Sequence, residues 1–168
     1  STVAAAGGLT WTTGALVASS VIKGSAAATN TVDFSAANTA STFVTYTGGS
    51  GADNITGTNG LNNVVNLGNG TNSYTQTGAG NANVTGGSGV DTITIGSGSN
   101  VVNVGGGATN TVATGAVMAG LNVITFGSGV DTFDVNHVSS AAGKYPSIVS
   151  IAAGDKIDLA GADLGTVV

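Results

Sequence analysis

Apolar and polar residues alternate in short segments along most of the chain. In DNIT, NSYT, DTIT and DTFD, an Asp or Asn stands two positions before an apolar or aromatic residue. Because alternate residues of a β-strand face opposite sides, the Asp or Asn and that residue should share one face. The pattern predicts an inner ladder of apolar side chains and an outer ladder of threonines. The inner ladder is Ile55, Tyr74, Ile93, Val112 and Phe133, and the outer ladder is Thr56, Thr75 and Thr94.

These segments recur with a period of about 19 residues. The repeating positions are Gly49, Gly68, Gly87 and Gly106, together with Asp53, Asn72, Asp91 and Asn110, and a further copy with Asp131 follows after a slightly longer step. A weaker set of asparagines, each followed by valine or isoleucine, lies between them. We predict an all-β fold, a right-handed parallel β-roll or β-helix solenoid with about 19 residues per full coil and irregular capping strands at both ends.

The abundance of Gly, Thr, Ser and Asn is also typical of a flexible low-complexity segment. Such a segment has no physical reason to keep glycine, Asp or Asn, and aliphatic residues in three parallel registers. The repeat therefore favours an ordered solenoid. A chain that is disordered until a ligand binds is the remaining alternative.

Two nine-residue segments match the nonapeptide GGxGxDxUx, in which U is a large apolar residue, at every defined position. They are GGSGADNIT at 48–56 and GGSGVDTIT at 86–94, and FGSGVDTFD at 126–134 differs by Phe126 in place of the first glycine. Over residues 48–135 the chain thus resembles the RTX family of secreted bacterial proteins. The resemblance implies a parallel β-roll whose glycine-rich turns bind Ca²⁺.

Calcium prefers oxygen ligands, which glycine-rich turns can supply as main-chain carbonyls and aspartate as carboxylates. We expect metal ligands along one edge of the roll, namely Asp53, Asp91, Asp131, Asn72, Asn110, Gly48 and Gly86. Each site would hold one carboxylate rather than two, and would bind calcium more weakly than a full RTX roll. The opposite edge carries asparagines, and their side-chain amides should form hydrogen bonds from one coil to the next. Ala82 interrupts this series. The alternative is that Asp and Asn stand there because they are good turn residues.

The pattern divides the chain into N-terminal strands or a cap at 1–47, the roll at 48–135, and a C-terminal cap with a possible type I secretion signal at 136–168. In the first part, Asp33 could join a metal site. In the last part, GDKIDLAG resembles the segment that commonly closes RTX rolls. Its Asp155 and Asp158 could bind an ion, but we expect them to serve in capping and solubility.

The charge and composition exclude several other functions. The net charge is −5, from eight Asp and three Lys, so the chain lacks the basic patch that nucleic acid requires. Without cysteine there is no disulfide and no thiolate metal site. No continuous apolar segment approaches the roughly 18 residues of a membrane span, so we expect no membrane insertion.

We also expect no enzymatic activity. Asp134, His137 and Ser139 are close in sequence, but a tight cluster on one strand does not readily form a hydrogen-bonded triad. The chain has no Glu, Arg or Cys, so acid–base pairs and oxyanion stabilisers are scarce. We therefore assign His137 to the surface or a cap.

Taken with the RTX resemblance, the acidic, Cys-free composition is similar to that of surface-layer proteins exported by the type I pathway. We expect a secreted, structural, calcium-dependent module at the bacterial cell surface that self-assembles with copies of itself, with other surface components as further partners. The alternative is a C-terminal folding and secretion module of a secreted enzyme or adhesin. Ice binding through Thr56, Thr75 and Thr94 is a third reading, disfavoured because three rungs make a short array.

Overall fold

A computed structural model describes residues 7–16, 18–37, 43–58, 62–76, 78–115, 118–136 and 146–159. These residues form β1 (Thr10–Thr12), β2 (Ser20–Lys23), β3 (Asn30–Asp33), β4 (Val44–Thr47), β5 (Asp53–Thr56), β6 (Asn63–Asn66), β7 (Asn72–Thr75), β8 (Ala82–Gly87), β9 (Asp91–Ile95), β10 (Val101–Gly105), β11 (Thr109–Thr114), β12 (Val123–Thr125), β13 (Val130–Asp134), β14 (Ser147–Val149) and β15 (Lys156–Asp158). Within them no helix is long and apolar enough to cross a membrane. His137 and Ser139 lie outside the described residues.

Consecutive strands alternate between two parallel sheets. The odd-numbered strands form an eight-stranded sheet in the order β1 to β15, and the even-numbered strands form a seven-stranded sheet from β2 to β14. Each coil of the chain therefore contributes one strand to each sheet, which is the predicted parallel β-solenoid. Hydrogen bonds of the central coils join residues 19 apart, as the sequence period predicts. The first coil and the last ones are longer, with separations of 21 to 24 residues.

The same two sheets continue on both sides of the nonapeptide segments. On the N-terminal side, Val32 of β3 pairs with Ile55 of β5, and Tyr46 of β4 pairs with Val65 of β6. On the C-terminal side, β15 pairs with β13 and β14 with β12. The solenoid thus extends over strands that lack the glycine-rich motif.

The core consists of two apolar ladders that face each other between the sheets. One ladder is Val32, Ile55, Tyr74, Ile93, Val112 and Phe133, and the other is Ile22, Tyr46, Val65, Val84, Val102 and Ile124, all at most 3% exposed. Burial of each such side chain contributes about 1.5–3 kcal/mol. The predicted inner ladder is confirmed, and Thr56, Thr75 and Thr94 face outward from the same strands.

The turns hold neighbouring coils in close main-chain contact. A Cβ atom added at Gly87, Gly89, Gly107 or Gly127 would overlap the carbonyl oxygen of a glycine one coil earlier. This contact places the column of Asp and Asn side chains at one edge within hydrogen-bonding distance from coil to coil.

Candidate metal site

Seven Asp and Asn side chains form one continuous column where the strands of the eight-stranded sheet begin. In order along the solenoid they are Asn30, Asp53, Asn72, Asp91, Asn110, Asp131 and Asp155. The first six are at most 3% exposed. We call this set the Asp/Asn column. It contains the five Asp and Asn residues that the sequence analysis named as metal ligands.

The Asn side chains connect neighbouring coils through both of their polar atoms. Asn72 Oδ1 accepts a hydrogen bond from the main-chain N–H of Asp53 at 2.9 Å, and Asn72 Nδ2 donates to Asp91 Oδ1 at 2.8 Å. Asn110 repeats the arrangement between Asp91 and Asp131, at 2.9 Å on each side. A carboxylate can only accept hydrogen bonds, so two stacked carboxylates would repel each other. From Asn30 to Asp131 the alternation of Asn with Asp places a donor between successive carboxylates, whereas Asp131 and Asp155 at the end of the column are adjacent.

Among the three aspartates of the nonapeptide segments, two have their second carboxylate oxygen held by the turn that precedes them. Asp91 Oδ2 accepts from the main-chain N–H of Gly87 at 3.1 Å, and Asp131 Oδ2 accepts from that of Gly127 at 2.8 Å. These bonds join each carboxylate to a turn residue four positions earlier. The carboxylates are therefore fixed beneath their own glycine-rich turns.

Asp53 differs from the other two because its second carboxylate oxygen is not held by a well-aligned hydrogen bond from its own turn. Its Oδ1 accepts from Asn30 Nδ2 at 2.6 Å, whereas its buried Oδ2 and the buried Tyr46 hydroxyl have no well-aligned hydrogen-bond partner. The two groups still interact: burial, and then the charge and a weaker hydrogen bond of Asp53, raise the pKa of Tyr46 far above its usual value. Asp53 is thus the motif aspartate whose charge is least completely compensated by well-aligned hydrogen bonds.

Gly48 and Gly86, the turn residues predicted to contribute ligands, lie directly beside two of these carboxylates. A Cβ atom at Gly48 would overlap Asp53 Oδ2 and the main-chain oxygen of Leu67. At Gly86 it would overlap Asp91 Oδ2 and the main-chain oxygen of Val104. At both places a carboxylate and a carbonyl oxygen converge on a residue without a side chain, and oxygen is the ligand that hard cations prefer.

Burial raises the pKa of the Asp53 and Asp91 carboxyl groups above the usual aspartate value. Hydrogen bonds from Asn30 to Asp53 and from Asn72 to Asp91 oppose this rise in pKa without overcoming it. The groups that stabilise the two charged forms are amides and a hydroxyl, and none is a cation. The column therefore holds buried negative charge that only neutral donors compensate.

In calcium-free solution, the free energy of unfolding is expected to fall as the pH rises through the raised pKa values of Asp53 and Asp91. The folded state then binds protons more tightly than the unfolded chain, whose aspartate pKa is close to 3.8. This contribution to stability is complete below pH 3.8 and is lost above the folded-state pKa. Urea unfolding in EGTA over this pH range measures how steeply the free energy of unfolding falls with pH. This fall should be less steep for Asp91→Asn. A slope of opposite sign would contradict the burial of uncompensated carboxylates.

The opposite edge carries a shorter column of buried amides, Asn63, Asn100 and Asn122. Asn100 Nδ2 donates to the carbonyl of Gly98, two residues before it, at 3.0 Å. Ala82 has no amide, but Gln76 Nε2 donates to the carbonyl of Gly80, two residues before Ala82, at 2.8 Å. Gln76 thus supplies the donor that the interrupted asparagine ladder lacks at this coil. Gln76 stands outside the repeated positions, so the repeat does not predict this role for it.

Two members of the Asp/Asn column were missed or assigned another role from the sequence. Asp33 was considered as a metal ligand in the N-terminal part, but Asn30 occupies that position of the column. Asp33 instead faces outward in register with Thr56, and its carboxylate accepts a hydrogen bond from the N–H of Ser35. Asn30 stands two residues before the buried Val32, which is the Asp-to-apolar spacing of the repeat. Asp155 closes the column, since its Oδ1 accepts from the N–H of Asp131 at 2.9 Å. A search for Asn or Asp at this spacing outside the nonapeptides would have found both.

Among the described residues, no three Asp, Glu, His or Cys side chains cluster closely enough to hold a metal ion by themselves. A cation at the Asp/Asn column would therefore take at most two carboxylates and complete its ligands with main-chain carbonyls. The chemistry of the donors beside Gly48 and Gly86 fits such a cation.

Comparison of the chain with protein-family models, with curated protein sequences and with solved structures gives no match in any of the three. Its function is therefore inferred from the residues and the geometry described above.

Proposed function

We propose that this chain is a structural, calcium-dependent module of a secreted bacterial cell-surface protein, and that calcium orders it for self-assembly into a surface layer. The observation that carries the proposal is the buried row of Asp53, Asp91 and Asp131, each at most 2% exposed. A buried carboxylate without a cationic partner is costly, and neutral hydrogen bonds offset only part of that cost. A cation from solution would offset the remainder.

Calcium suits these donors better than other common cations. All candidate ligands are oxygens, which excludes metals that need thiolate or imidazole, and Ca²⁺ tolerates irregular geometry that Mg²⁺ does not. Asp53, Asp91 and Asp131 would each give one carboxylate, and the bound ion would supply positive charge between adjacent turns. A site with one carboxylate should be weak, on the order of 10⁻⁴–10⁻³ M, the range of extracellular calcium modules.

The outer face of the seven-stranded sheet supports the assembly part of the proposal. Val21, Val64, Val101 and Val123 are exposed there by 36 to 55%. The strand register places them in one outward column, interrupted by Thr45 and Asn83. Apolar residues exposed together commonly mark interaction surfaces. Because metal binding and folding are coupled in such modules, the chain could be exported unfolded and become ordered outside the cell.

Calcium is expected to increase the thermal stability of the protein, with a half-maximal effect at about 0.1–1 mM. The triple variant Asp53→Asn/Asp91→Asn/Asp131→Asn should lose this response, because Asn keeps the size of the side chain but not its charge. Thermal unfolding followed by far-ultraviolet circular dichroism, with calcium titrated in and then removed by EGTA, measures both. Asp134→Asn is the matched control, since Asp134 lies on the outer face of β13, away from the column. If the melting curve of the wild type were the same in calcium and in EGTA, the proposal that calcium stabilises the protein would be wrong.

Electron microscopy of the calcium-loaded protein tests the assembly. We expect ordered sheets or filaments that disperse in EGTA. Single particles of uniform size that nonetheless bind calcium would contradict self-assembly. They would favour the alternative of a folding and secretion module attached to an enzyme or adhesin.

A further inference from the structure

The outer face of the eight-stranded sheet carries two parallel columns of short polar side chains. On β5, β7, β9 and β11, one column is Asn54, Ser73, Thr92 and Thr111, and the other is Thr56, Thr75, Thr94 and Ala113. We call these eight positions the hydroxyl face. Six of them are Ser or Thr, and all are exposed or half-buried. The first column continues in register with Thr31 on one side and Thr132 on the other.

The hydroxyl face is a regular lattice in two directions. Neighbouring strands lie about 4.8 Å apart, and alternate residues of one strand lie about 6.6 Å apart. Threonine is β-branched and stiff at χ1, so its hydroxyl and methyl groups keep these repeats. A shallow groove follows the first column. It is lined by Thr29, Ala52, Asn54, Thr71, Ser73 and Thr92, together with the buried Asp53 and Asn72 of the Asp/Asn column. Water molecules in this groove would be held at the same spacing as the side chains.

The composition of this face is unsuited to most macromolecular partners. The hydroxyl face has no charged and no aromatic side chain, and Asp33 and Asp134 stand only at its two ends. Protein interfaces depend on buried aromatic and Arg anchors, and nucleic acid requires cations. Sugar rings commonly stack on aromatic side chains, which this face also lacks. A repeated array of short hydroxyl and methyl groups instead matches a partner that is itself a lattice of oxygen atoms.

We propose that the hydroxyl face binds ice crystals, through hydroxyl and methyl groups whose repeats lie close to those of oxygen atoms on an ice surface. Water held between the columns provides hydrogen bonds to the crystal that are nearly as favourable as direct ones. The structure supplies what the three-rung threonine ladder lacked, namely a second column in register and an uncharged area across four strands. This activity is separate from the proposed calcium-dependent assembly, since it uses the outer side chains and not the buried column.

Ice recrystallisation and partition of the protein into growing ice, both measured on the full chain in calcium, test the proposal. We expect the wild type to inhibit recrystallisation and to concentrate in the ice fraction. Thr92→Lys places a long charged side chain at the centre of the face and should abolish both effects. Thr111→Lys, one strand further, is a second variant in case the first loses its strand signal in circular dichroism.

Thr85→Lys is the matched control, because Thr85 is an exposed strand residue on the opposite sheet. It should retain the wild-type effect on ice. The proposal is overturned if folded wild type has no effect on ice, if Thr92→Lys and Thr111→Lys retain it, or if Thr85→Lys loses it as they do. Retention on crystalline cellulose or chitin without an effect on ice would also overturn it, in favour of a polysaccharide surface.

Discussion

Replacing Gly107 with alanine is expected to destabilise the protein by about 3–5 kcal/mol, above the usual effect of a single substitution. The added Cβ would overlap the carbonyl oxygen of Gly89 in the preceding coil. No rotamer change relieves this overlap, because both partners belong to the main chain, and separating them would break the contact between coils. The free energy of unfolding in urea measures the effect.

Gly106→Ala is the matched control, since it adds the same methyl group one residue earlier in the same turn. The nearest heavy atom to its Cβ is Ser128 Oγ at 3.4 Å, an ordinary contact. Both substitutions restrict the unfolded chain alike, so their difference isolates the close approach of the coils. Equal stability of Gly106→Ala and Gly107→Ala would contradict the tight stacking of the turns.

Replacing Asn100 with alanine should have an effect of similar size, about 3–5 kcal/mol, because it leaves several buried polar groups without partners. Asn100 Oδ1 accepts from the N–H of Ala82 at 3.0 Å. The two N–H groups of Nδ2 are shared among the carbonyls of Gly96 and Gly98 and the Oδ1 of Asn122. Asn100 is fully buried, so water cannot replace these bonds without opening the turn. Thermal or urea unfolding measures the loss.

Asn83→Ala is the control for this substitution. Asn83 is an exposed residue of β8 that faces away from the core, and its replacement should change the stability by no more than about 0.5 kcal/mol. If Asn100→Ala proved as mild as Asn83→Ala, the buried amides of this edge would not hold the coils together.

The predicted parts of the fold are those that depend on local geometry. A strand turns alternate side chains to opposite faces, so the spacing from Asp53 to Ile55 fixed which side of β5 is buried. A constant repeat length then placed Asp53, Asn72 and Asp91 in one column, because parallel strands of equal coils stack residue on residue. The same reasoning explains the outward threonines.

The missed parts either depend on contacts between coils or lie outside the 19-residue register. Two adjacent valines, Val64 and Val65, do not reveal from the sequence which of them faces the core. In the structure Val65 is buried and Val64 is 43% exposed. Gln76 replaces the amide that Ala82 lacks from a position outside the repeat. Asn30 and Asp155 belong to longer coils, so a search at the 19-residue period passes over them. The Tyr46 hydroxyl that interacts with Asp53 comes from the other sheet.

A disulfide cross-link tests most directly whether the coils stack in this register. Thr75 and Thr94 are direct partners on β7 and β9, and the chain has no cysteine of its own. Direct partners lie about 4.8 Å apart, within the range that a disulfide can bridge, whereas residues two coils apart do not. On mild oxidation, Thr75→Cys/Thr94→Cys should form an intramolecular disulfide, and Thr56→Cys/Thr94→Cys should keep two free thiols. Equal cross-linking of the two pairs, or none in the first, would contradict the stacked column on which the proposed calcium sites depend.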